Sequence, residues 1–71
     1  MPTNIEAAER FNREYLGIRA RLIEVAAALD RIDRGPGSIA ADPRLANIHR
    51  SLEVLAQAEA GRAEQLQMLF S

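Results

Sequence analysis

An unbroken heptad pattern of apolar residues constrains the fold of this chain more than any other feature of its sequence. The pattern places its side chains on one face of an α-helix, as in coiled coils and helical bundles. Leu16, Ile23 and Ala26 flank the row, so the apolar face is wider than a two-stranded coiled coil requires. The row has alternating spacings of three and four and consists of Ala8, Phe11, Tyr15, Ile18, Leu22, Val25, Leu29 and Ile32.

Proline and glycine divide the chain into two helical segments. Both segments are rich in Ala, Leu, Arg, Glu and Gln, which favour helix, and neither alternates apolar with polar residues as a half-buried strand does. We predict one domain spanning 1–71, with a helix over about 4–34, a loop over 35–42 and a helix over about 43–70. The residues that separate the two segments are Gly35, Pro36, Gly37 and Pro43.

The sequence also predicts how the helices meet the loop. Gly35 precedes Pro36, so we expect Gly35 to end the first helix in the left-handed conformation that glycine adopts readily. Asp42 precedes Pro43, which favours Asp42 as the N-cap and Pro43 as the first helical residue. A connection this short predicts that the two helices lie antiparallel as a hairpin.

The apolar row of the second segment is interrupted by two charged residues, Glu59 and Arg62. In the hairpin register that matches the two rows, Arg19 lies near Glu59 and Glu14 lies near Arg62. We therefore predict two polar pairs across the hairpin. The apolar members of the second row are Leu45, Ile48, Leu52, Leu55, Leu66 and Leu69.

A two-helix hairpin leaves part of this apolar surface uncovered. The chain has 71 residues and no cysteine, and chains of this size gain little stability from their own core without disulfides, metals or oligomerisation. We predict an all-α hairpin that self-associates, as a dimer or higher oligomer, into a four-helix bundle. The residues expected at the interface are Leu16, Ile23, Leu66, Met68, Leu69 and Phe70.

Charge and hydropathy disfavour two classes of partner. Nine basic residues, all arginine, oppose ten acidic residues, giving a net charge of -1; nucleic-acid-binding domains are usually basic. Arg-mediated contact with nucleic acid is therefore only a further alternative. No apolar run has the roughly 20 residues of a membrane span, so we expect no membrane contact and a cytoplasmic location.

One histidine suggests an alternative function. His49 and Glu53 are four residues apart and share a helical face, and the hairpin register brings Asp30 near them. Imidazole and carboxylates can hold a divalent metal, so a metal-binding or small-ligand-binding bundle around these three residues is the alternative. A surface histidine paired with a carboxylate is the simpler interpretation.

No catalytic constellation is present in the sequence. Ser38 and Ser51 lack a histidine and carboxylate at suitable spacing, so nucleophilic catalysis has no support. We expect a non-enzymatic oligomerisation or protein-interaction module without a cofactor. Its expected partner is a second copy of itself, with another protein as the other candidate.

Overall fold

The computed structural model describes residues 3–57 and 59–71, with side chains from Glu6 onward. These residues form three α-helices and no strand, which confirms the all-α prediction. Helix α1 spans Thr3–Asp33, α2 spans Pro43–Ala56 and α3 spans Arg62–Leu69. The chain divides into two compact units, one ending at Pro36 that contains α1, and one beginning at Gly37 that contains α2 and α3.

Helix α1 is a single uninterrupted helix of 31 residues, about 46 Å long at 1.5 Å per residue. Its bounds lie within one residue of the predicted 4–34. Its polar surface carries two ion pairs at i,i+4 spacing, Arg10 with Glu6 and Arg13 with Glu9. Pairs of this kind stabilise an exposed helix by a few tenths of a kcal/mol each, about 0.2–0.5.

At the end of α1, the glycine in the left-handed conformation is not the predicted one. The backbone N–H of Gly35 donates to the carbonyl of Ile32 at 3.0 Å, but Gly35 does not have a positive φ. The residue in that conformation is Gly37, with φ 95°. The prediction for Gly35 was therefore wrong: a hydrogen bond within the last turn ends the helix, and the reversal that needs glycine comes two residues later.

The start of α2 confirms its predicted cap. Asp42 has extended backbone angles, and its side chain accepts a hydrogen bond from the backbone N–H of Arg44 at 2.9 Å. Pro43 is the first residue of the helix. Its missing N–H is one that the helix would leave unpaired in any case.

The predicted continuous helix over 43–70 was wrong, because α2 ends at Ala56 and α3 begins at Arg62. Gln57 has extended backbone angles, and Gly61 has φ 85°, a conformation in which only glycine is free of steric cost. The Arg62 guanidinium donates to the carbonyl of Gln57, with its Nε at 2.9 Å. This bond ties the two ends of the turn together.

The break allows α3 to pack against α2. Val54 lies between them at 2% exposure, and Ser51, one turn earlier, is 7% exposed. The Ser51 hydroxyl is satisfied, since it donates to the carbonyl of Asn47 at 2.8 Å. Burial of this side of α2 explains why the second segment folds back although its residues favour helix: apolar burial outweighs intrinsic helix propensity.

Candidate interaction surface

The most extensive candidate site is the heptad row of α1, here called the α1 seam (Ala8, Phe11, Tyr15, Ile18, Leu22, Val25, Leu29 and Ile32). Six large side chains of the row are exposed, from 44% at Val25 and Ile32 to 60% at Phe11. Leu29 is half-buried. A row of large apolar side chains left open to water is typical of an interaction surface.

The two aromatic side chains of the seam contact each other. The rings of Phe11 and Tyr15, one helical turn apart, have centroids 5.6 Å apart and planes inclined by 55°. Tilted contacts of this kind are favourable for aromatic rings. The two rings therefore form one continuous apolar patch on α1.

The predicted interface residues differ in their exposure. Leu16 and Met68 are both 71% exposed, and Phe70 is 59% exposed. Ile23 is also exposed. Leu66 and Leu69 are half-buried, so in the second unit part of the predicted surface belongs to the packing of α3.

Between α2 and α3 lies a shallow apolar depression of about 240 Å³. Val54, Met68 and Leu69 supply its apolar lining. Arg50 and Gln65 supply polar groups to its lining, but the Arg50 guanidinium already donates to the Glu53 carboxylate at 3.1 Å. The depression therefore offers an apolar surface, and the guanidinium of Arg50 is already engaged by Glu53.

The burial of Ser51 and Val54 was not predicted from the sequence. The predicted row of α2 runs through Leu52 and Leu55, which are 41% and 44% exposed. The buried residues are their sequence neighbours, about 100° around the helix. The polar character of Ser51 hides this face from any hydrophobic pattern, and only the hydroxyl bond to Asn47 makes its burial inexpensive.

The predicted polar pairs stay predictions. Glu14 and Arg19 are exposed residues of α1, and Glu59 is an exposed residue of the turn before α3. Arg62 has a partner within its own unit, the carbonyl of Gln57. That contact was not foreseen, because the sequence placed Arg62 inside a continuous helix.

The metal alternative also stays a prediction. His49 is exposed, and the carboxylate of Glu53 is paired with Arg50. Asp30 is an exposed residue of α1. Within the described residues, no group of three or more histidine, aspartate or glutamate side chains is placed to hold a metal ion.

No helix in the described part of the chain is both long and apolar enough to cross a membrane. Comparison with protein-family models, curated proteins and solved structures gives no match for this chain.

Proposed function

We propose that this chain is a small non-enzymatic oligomerisation or protein-interaction module whose first partner is another copy of itself. The observation that carries the proposal is the exposed α1 seam. Among residues with described side chains, Val54 is the only buried apolar one, whereas most large side chains of the seam are exposed. Burying the seam against another chain would supply the hydrophobic stabilisation that α1 lacks within its own unit.

The oligomer has two candidate architectures. In the first, expected from the sequence, two antiparallel hairpins pack as a four-helix bundle. It uses residues 43–70 as one long partner helix, and this segment is interrupted between Ala56 and Arg62. In the second, α1 associates through its seam with α1 of other copies. The uninterrupted length of α1 favours the second.

Another protein remains the alternative partner. It would have to present a complementary apolar helix to the seam, because the seam is long, narrow and apolar. Capture of such a protein would be informative only if substitution of seam residues abolished the capture.

The proposal is tested by measuring molar mass and helicity over a wide range of concentrations. We expect a dimer or larger species that dissociates on dilution with loss of helical circular dichroism. Leu22→Gln, in the middle of the seam, should shift dissociation to higher concentration, whereas Ala20→Gln, on the opposite side of α1, should not. A monomer of constant mass and full helicity at every concentration would contradict self-association.

A further inference from the structure

We propose that α1 forms a parallel, in-register coiled coil of four copies, in which Glu14 of each copy pairs with Arg19 of its neighbour. This inference rests on the proposed function and names the partner of the seam: the same helix of three further copies. Two independent features of α1 support it. One is the type of apolar residue at each heptad position, and the other is the placement of charge beside the seam.

The spacing of the seam fixes its heptad positions. A step of three leads from position a to position d, and a step of four leads from d to the next a. Leu22 and Leu29 therefore occupy a, and Ile18, Val25 and Ile32 occupy d. Leucine at a with isoleucine at d shifts parallel coiled coils from two strands towards three or four.

Arg19 has no carboxylate within reach on its own helix. Its neighbours at the spacings that bring side chains together on a helix surface are all apolar: Tyr15, Leu16, Leu22 and Ile23. The ion pairs of α1 in the described residues are those of Arg10 with Glu6 and of Arg13 with Glu9, and neither includes Glu14 or Arg19. Any carboxylate that pairs with Arg19 therefore lies outside α1.

A parallel arrangement supplies that partner. Glu14 occupies position g and Arg19 occupies position e of the following heptad, and these two positions face each other between adjacent parallel helices. The remaining g and e positions create no pair of like charges, because each facing pair has at least one uncharged member. These pairs are Ala7 with Asn12, Arg21 with Ala26, and Ala28 with Asp33.

An antiparallel arrangement instead brings like charges together. With the seams fully overlapped, Arg19 faces Arg19 of the neighbour, and Arg21 faces Arg21. Moving one helix by a heptad separates these like charges but shortens the contact. In one direction Glu14 comes opposite Arg21 and the contact loses Leu29 and Ile32; in the other Arg21 comes opposite Ala28 and the contact loses Ala8 and Phe11. Burying such side chains stabilises more than an exposed ion pair does, so the shifted register is the weaker one.

Charge reversal at these two positions tests orientation. Glu14→Arg and Arg19→Glu should each raise the concentration for half-assembly by about tenfold, although they change net charge in opposite directions. The double variant has the composition of the original chain and should restore assembly. Full overlap in antiparallel orientation, or pairing of Glu14 with Arg62 and Arg19 with Glu59 in a hairpin, predicts no restoration, and that result would overturn the inference.

Exchange of the apolar residues tests the number of strands. We expect the original chain to have the mass of a tetramer by sedimentation equilibrium. A variant with Leu22→Ile, Leu29→Ile, Ile18→Leu, Val25→Leu and Ile32→Leu keeps the seam apolar but places isoleucine at a and leucine at d, which favours two strands. Its mass should fall to that of a dimer.

The outcomes separate this inference from the proposed function. A chain that stays monomeric at every concentration contradicts both. An oligomer that is not a tetramer, or whose assembly the double charge reversal fails to restore, contradicts only the parallel four-stranded arrangement.

Discussion

Asp42 binds Arg44 in two ways. The Asp42 carboxylate accepts the backbone N–H of Arg44 at 2.9 Å, and it also pairs with the Arg44 guanidinium, whose Nη2 lies 2.7 Å from Oδ2. The hydrogen bond from the side chain of Arg44, together with the backbone bond, lowers the pKa of Asp42 from 3.8 to about 2. One carboxylate thus caps α2 and holds a cation beside the start of the helix.

This arrangement predicts an acid-sensitive α2. Because the pKa of Asp42 is lower in the folded chain than in the unfolded one, its stabilising contribution is complete above pH 3.8 and is lost as the pH falls towards about 2. Helicity followed by circular dichroism between pH 5 and pH 2 should show this loss.

The matched control is Asp42→Asn. Asparagine caps helices well but carries no charge, so it forms no ion pair with the guanidinium. The variant should be less stable than the original chain at pH 7 and equal to it near pH 2. Two acid titrations separated by a constant difference over the whole range would contradict the assignment.

The ends of the elements could be predicted where the signal is local. Asp42 and Pro43 define the start of α2 by themselves, because a cap depends on a few neighbouring atoms. The uninterrupted pattern of the α1 seam likewise predicts a long helix, which the structure confirms. In both cases the signal comes from residues close together in the sequence.

The break after α2 could not be predicted in the same way. Gln57, Glu59 and Ala60 favour helix, and Gly61 costs a helix only about 1 kcal/mol. What decides the structure is packing of α3 on Val54, a contact between residues distant in sequence. The exposed apolar face was therefore predicted better on α1, where it follows from periodicity, than on α3, where it depends on tertiary packing.

Alanine substitutions at two valines distinguish the stability of the fold from the stability of the assembly. Val54→Ala removes the buried apolar side chain of the second unit and should destabilise that unit by about 2 kcal/mol, independently of protein concentration. Val25→Ala is the same substitution at a side chain that is 44% exposed on the seam. Its effect on thermal unfolding should appear mainly where the chain is assembled, and should therefore depend on concentration.

The two variants are compared by thermal unfolding at several concentrations. An equal, concentration-independent loss in both would contradict a role for the seam in association. A negligible effect of Val54→Ala would contradict the packing of α3 on α2.

Gly17→Ala should stabilise α1. Gly17 lies in the middle of the helix, and a Cβ built there meets the Nη1 atom of Arg21 at 3.0 Å. That atom is at the end of a flexible side chain and can move aside, so the gain in helix propensity, about 0.5–1 kcal/mol, should dominate. Higher helicity at equal concentration is the expected result, and a decrease would show that the position of the Arg21 guanidinium matters to the fold.

Gly61→Ala should have the opposite effect although the space around Gly61 is open. Nothing lies within 4 Å of a Cβ built there, but the residue has φ 85°, a conformation that costs an L-residue with a side chain about 1–2 kcal/mol. The cost should loosen α3 from α2 and favour a straight helix over the residues between them. We expect weaker protection of the Val54 amide from hydrogen exchange, and Gly61→Asn should be the milder change because asparagine tolerates this conformation better. Equal protection in all three chains would show that the turn does not hold α3 in place.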